Sequence, residues 1–158
     1  MKVAGGAVVS VRGLGMRFGR KVVHEAIDLD VRQGEILGIV GGSGCGKTTL
    51  LREMALLQRP SAGQVRIFGE DVAALGARQV LWVRRRIGVL FQNGALFGGM
   101  NVLHNVGVPL REHTPLGDVL IDEIARLKLA LVGLGVADGL LYPNQLSGGM
   151  RKRAALAR

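Results

Sequence analysis

The sequence predicts an α/β fold, and three observations carry that reading. An uninterrupted apolar run at residues 36–40 leads into a glycine-rich loop, and a helical pattern follows the loop directly. A second apolar run at 87–91 follows another helical stretch, so strands and helices alternate. The composition is also that of a globular domain: 158 residues, 48% hydrophobic and 21% charged, long enough for one core. With 25 Gly and 4 Pro the chain is neither collagen-like nor of low complexity. One Cys cannot form an internal disulfide, which suits a reducing compartment.

The elements follow in order. Lys2 and the apolar stretch 3–11 look faintly like a leader peptide, but Arg12 follows at once and no small-residue cleavage site appears. The stretch therefore reads as a strand. Val9 and Val11, then Ile27, Leu29 and Val31, alternate with polar or small residues, the period of a half-buried strand. Gly34 and Glu35 make a turn, and 36–40 reads as a strand covered on both faces. Leu50, Leu51, Met54 and Leu57 recur at helical spacing until Pro60. A short strand is expected over 65–68, a helix over 78–86 and a buried strand over 87–91.

From Asn93 to about Leu116 glycines and apolar residues mix without a clear period. The longest run without charge, 93–110, contains Gly, Asn, His and Pro and does not suit a membrane-spanning helix. A long helix follows, with Leu116, Leu120, Ile124, Leu127 and Leu131 as its inward stripe. Asp118, Asp122, Glu123, Arg126 and Lys128 fall mostly outside, and Gly133 and Gly135 end it. A last helical pattern begins near Ser147 and is still running at Arg158, which leads us to expect the N-terminal part of a longer domain.

Two glycine motifs carry chemistry. Gly41, Gly42, Ser43, Gly44, Cys45, Gly46, Lys47 and Thr48 match G-x-x-x-x-G-K-[ST], with Thr49 next in line. Glycines allow successive N–H groups to point at one anion, and the helix that follows presents its positive end. Lys47 adds a full charge near the outer phosphates, and the Thr48 hydroxyl can hold Mg²⁺. Cys45 reads as a small loop residue, with no His near it in sequence. The second motif is Leu146, Ser147, Gly148, Gly149 and Met150, running into a basic helix. Ser147 is a good N-cap and the glycines expose N–H groups, so alone this is either a second anion site or a capped helix.

Taken together with Gln92, just past the apolar run 87–91, the motifs resemble the ATP-binding subunit of ABC transporters over nearly the whole chain. The resemblance makes the first loop the Walker A, Gln92 the Q-loop glutamine and LSGG the signature. It implies a P-loop (RecA-like) α/β core with an N-terminal antiparallel β subdomain, over 1–92, and an α-helical signature subdomain, over 93–158, incomplete at the C-terminus. It implies that Phe18 stacks on adenine, that Lys47 and Gln92 are catalytic, and that Thr48 and Gln92 meet Mg²⁺ beside ATP. Phe91, Gln92, Asn93, Leu96 and Phe97, then Met100, Asn101 and Val102, then Val108, Pro109 and Leu110, with Met150 closing the signature, resemble the Mla branch, the lipid-asymmetry or toluene-tolerance type. That branch implies a homodimer at the cytoplasmic face of the inner membrane, a membrane permease, and an MCE-type lipid-binding protein, moving phospholipid between envelope membranes. Each ATP would lie between the Walker A of one subunit and Ser147, Gly148 and Gly149 of the other.

The chain departs from the family at its end. The Walker B Asp, the catalytic Glu and the switch His should follow the signature, and none does within 158 residues. Negligible hydrolysis by this chain is the expectation, since phosphoryl transfer relies on positioning and charge stabilisation, and a stable isolated fold is in doubt. The net charge of +9 allows anionic partners, but it also fits an acidic portion lying elsewhere. No nucleic-acid partner is expected: nothing between Gly46 and Ser147 is long enough for the inserted modules of soluble ABC-type ATPases that act on DNA or translation. A P-loop kinase lacks LSGG, while a non-catalytic nucleotide-binding fragment remains the alternative for the chain as it stands. His24, His104 and His113 lack metal-ligand spacing. Arg84, Arg85 and Arg86 beside Trp82 read as a solvated helix face, Asp28 and Asp30 as exposed strand residues, and Tyr142 and Pro143 as packing for the signature.

Overall fold

A computed structural model describes residues 6–158, so part of the strand expected over 3–11 lies outside the described residues. The chain divides into two compact units, Met1–Val89 and Leu90–Arg158.

The first unit is built on a four-stranded antiparallel sheet. Strand β1 (Ala7–Phe18) pairs on one side with β2 (Lys21–Arg32) and on the other with β3 (Ala62–Ile67), which pairs with the short β4 (Glu70–Asp71). Val9 lies opposite Val31 and Ile67, and Val11 opposite Leu29 and Val65, so the alternation legible in the sequence becomes one apolar face. Val11, Leu14, Val65 and Ile67 from the sheet pack with Leu50 and Met54 of helix α1 (Lys47–Met54) and Val83 of helix α2 (Ala77–Arg84). Where β1 and β3 cross, a β-carbon on Gly63 would stand 2.3 Å from the Gly13 carbonyl oxygen, so only glycine fits there.

The two buried strands expected at 36–40 and 87–91 are absent. Ile36 is 99% and Val40 93% exposed, and Leu90 and Phe91 are exposed as well. A strand needs a neighbour for its N–H and C=O groups. Among the described residues, no backbone hydrogen bond ties either segment into a ladder. The apolar character was read correctly, but the pairing it called for is not supplied here.

The second unit is helical: α3 (Val102–His113), α4 (Asp118–Leu131), the short α5 (Val136–Gly139) and α6 (Gly148–Ala157). Its core joins Val102 and Val106 to Ala125 and Leu129, with Leu134, Leu146, Ala154 and Ala157. Helix α3 lies in the stretch where the sequence showed no period. Asn101 caps it, accepting from the His104 N–H at 2.8 Å. Pro109 sits within it and has no N–H for the carbonyl four residues earlier, that of Asn105. The Asn105 side chain, wholly buried, ties the preceding loop to the helix: it accepts from the Phe97 N–H (2.7 Å) and donates to the carbonyls of Phe97, Met100 and Asn101 (3.0 Å each).

The expected inward stripe of α4 is also corrected. Leu120, Leu127 and Leu131 are exposed, while Ile121, Ala125 and Leu129 are buried. Ala125 and Leu129 pack into the core of this unit, and on the same side Arg111 of α3 holds both Asp118 (2.9 Å) and Asp122 (2.8 Å).

Candidate functional site

The glycine loop folds as its composition requires. Gly46 closes it as the N-cap of α1 with φ +96°, a left-handed conformation natural to glycine, and its carbonyl accepts from the Leu50 N–H at 2.9 Å. The loop amides and the first turn of α1 therefore open toward one side. The Lys47 ammonium lies back over the loop, donating to the carbonyls of Gly41 (2.8 Å) and Gly42 (2.6 Å), with Cys45 Sγ 3.6 Å away. A cleft of about 290 Å³ runs from this loop to the end of β1, lined by Gly44, Gly46, Lys47, Thr48 and Thr49 on one side and Phe18 on the other. Lys21, Val22 and Val23 of β2 form its floor. Phe18 is 55% exposed, so its ring is a free surface at the rim rather than part of the core.

The structure thus gathers Phe18 and the Walker A residues Gly44, Gly46, Lys47, Thr48 and Thr49 at one cleft, with Gly41 and Gly42 joined through Lys47. Ser43 and Cys45 are exposed on the loop. Gln92 lies on an exposed turn that opens the second unit, closed by a hydrogen bond from the Gly94 N–H to the Phe91 carbonyl (2.9 Å). Ser147 caps α6 by accepting from the Met150 N–H at 3.2 Å, and Gly148 and Gly149 follow it exposed. Thr48 offers a hydroxyl and Gln92 a carboxamide oxygen, the hard oxygen donors that suit Mg²⁺.

Several surroundings escaped the sequence. Beneath the loop, His24 of β2 meets Glu53 of α1 at 2.9 Å, both side chains buried. A polar residue on the otherwise apolar inner face of the helix, beside Leu50 and Met54, was the signal that could have drawn attention to Glu53. Asp28 and Asp30 are engaged rather than merely exposed: Asp28 accepts from the Gly13 N–H (2.6 Å), and Asp30 pairs with Arg12 (2.7 Å). The arginine face is only partly solvated. Arg84 donates to the Leu56 carbonyl at 2.6 Å, and Arg86 stacks over Trp82 at 3.6 Å, whose ring meets Phe68 edge-on. Pro143 is buried, but Tyr142 stays exposed and packs little.

Residues 24–158 match the family pattern described as ABC transporter. The chain belongs to the ABC transporter family. Among curated relatives, this ABC chain is 44% identical over 153 residues to the probable ribonucleotide transport ATP-binding protein mkl of Mycobacterium leprae, covering 97% of this chain and 44% of that protein. It is 43% identical over 151 residues to the intermembrane phospholipid transport system ATP-binding protein MlaF of Haemophilus influenzae, covering 96% and 57%. The chain therefore spans about half the length of the curated relatives it matches. Among solved structures, the dimeric ABC transporter cassette MJ0796, in a post-hydrolysis state bound to ADP and Pi, matches with a TM-score of 0.86 at 28% identity, covering 94% of this chain and 67% of that one. The fold class expected from the sequence is that of these ABC cassettes. Among the described residues, no helix is long and apolar enough to cross a membrane.

Proposed function

We propose that the chain is the ATP-binding part of an ABC transporter of the phospholipid-transport type. One observation carries the reading: a single cleft holds an exposed aromatic, Phe18, at one end and a lysine-bearing amide cradle at the other, the two surfaces a nucleoside triphosphate needs. The adenine lies on Phe18, and the phosphates lie along the amides of 44–49. Lys47 exchanges its bonds to the Gly41 and Gly42 carbonyls for phosphate oxygens. The Thr48 hydroxyl would hold Mg²⁺, which would neutralise phosphate charge; Gln92 offers a carboxamide oxygen of the same kind. Two copies meet head to tail, so that the exposed mouth of α6 in one faces the triphosphate in the other. In this assignment residues 1–92 carry the first nucleotide surface and 93–158 the second.

The two relatives' names divide between phospholipid and ribonucleotide transport. The motif run from Phe91 to Leu110 and the Met150 signature favour phospholipid. A permease, an MCE-type lipid-binding protein and a seat at the cytoplasmic face of the inner membrane belong to that reading. The test is binding of a fluorescent ATP analogue with Mg²⁺. Lys47→Ala removes a charge-assisted contact and lowers affinity about 10- to 100-fold. Undiminished binding by Lys47→Ala would refute the site.

A further inference from the structure

The His24–Glu53 pair is the buried polar feature that the nucleotide site does not use directly. The His24 and Glu53 side chains are 7% and 0% exposed in a core otherwise made of Val, Leu, Ile and Met. Nε2 of His24 stands 2.9 Å from Oε2 of Glu53, a close polar contact rather than an aligned hydrogen bond, and neither Glu53 oxygen has an aligned donor among the described residues. Burial pushes the Glu53 carboxyl above its ordinary range, and His24 pulls it back. The other ring nitrogen faces the phosphate loop. A β-carbon on Gly46 would lie 3.3 Å from His24 Nδ1 and 2.7 Å from Val23 Cγ1, so β2 lies flush beneath the residue that ends the loop. One imidazole thus fills the space where a side chain of Gly46 would stand and, at Glu53, meets helix α1 about two turns further on. Side chains on a helix lean toward its N-terminus, which closes the remaining distance.

A buried polar pair seldom stabilises a fold more than apolar residues of the same volume would. An amide cradle, in contrast, gains from being held in place before its ligand arrives. We propose that His24 and Glu53 are positioning residues for phosphate binding: Glu53 orients the imidazole, and the imidazole fixes the attitude of Gly46 and of the amides that follow it. This rests on reading the loop as a nucleotide site, so its test has one arm without nucleotide.

The full chain is compared with Glu53→Gln and Glu53→Leu. The readouts are affinity for a fluorescent ATP analogue with Mg²⁺, thermal midpoint, and hydrogen exchange at the amides of 46–50 in the absence of nucleotide. Glu53→Leu frees the ring. Affinity falls about tenfold, the size of one lost polar contact, and the loop amides exchange faster. The thermal midpoint holds or rises, because a buried carboxylate has been replaced by an apolar group. Glu53→Gln still offers Nε2 an oxygen and stays within about twofold of the parent affinity. If Glu53→Leu does not fold, the double variant His24→Leu/Glu53→Leu takes its place, with the same expected loss of affinity and faster exchange. Parent-like affinity and exchange in the leucine variant overturn the proposal, as does a glutamine variant that falls as far as the leucine one. A parent chain that binds no nucleotide, with exchange still responding as expected, refutes the nucleotide reading and leaves the hold on the loop standing.

Discussion

Arg12 and Asp30 lie on neighbouring strands with the guanidinium 2.7 Å from the carboxylate. That hydrogen bond, helped by one from Ser10, holds Asp30 below its ordinary value of 3.8. Because the folded state favours the ionised form, the contribution is complete above pH 3.8 and is lost as pH falls through the lowered value. Both groups are exposed, so the effect is small and screened by salt. Asp30→Asn should flatten the fall in thermal midpoint below pH 3.8 at low salt, and a pH series of melting curves checks this. The sequence leaves Asp30 an isolated acid, because its partner depends on strand register, which a string of letters does not display. The residues of the glycine loop are legible for the opposite reason. Their contacts are with one another, six positions apart at most.

Helix α4 shows what periodicity can and cannot say. Its length and amphipathic character were evident, but two candidate faces about 140° apart both carried large apolar residues. The choice between them is made by packing against other helices, with Arg111 of α3 pairing to Asp118 and Asp122 alongside. Leu129→Ala should therefore destabilise the second unit by about 2–5 kcal/mol, as expected for a buried leucine. Leu127→Ala, 61% exposed at the parent residue, should change stability by no more than about 0.5 kcal/mol. Urea denaturation of both variants decides it, and the reverse ranking would restore the face expected from sequence. Helix α3 was missed because Gly107 and Pro109 look like breakers. Its stability comes from the Asn101 cap and from Asn105, whose side-chain bonds to the 97–101 loop become visible only once that loop is folded.

At the scale of the whole molecule, the antiparallel sheet and the helical unit each have a core, whereas segments 36–40 and 87–91 have no ladder among the described residues. Exposed apolar backbone with unpaired N–H and C=O groups is a template for association. The purified chain should bind a hydrophobic dye and self-associate as concentration rises. Ile36→Lys should reduce both, which light scattering and dye fluorescence would reveal; a monodisperse parent with no dye binding would show that these segments are covered in solution. The Lys47 ammonium adds a consequence of another kind. It rests chiefly on main-chain oxygens of Gly41 and Gly42, with the Cys45 thiol the one neighbouring side chain it also meets. Exchanging Ser43 or Cys45 for other small residues leaves both docking points where they are. The capacity to receive an anion is thus written into the peptide links themselves, and evolution can redecorate the bend without dismantling its grip.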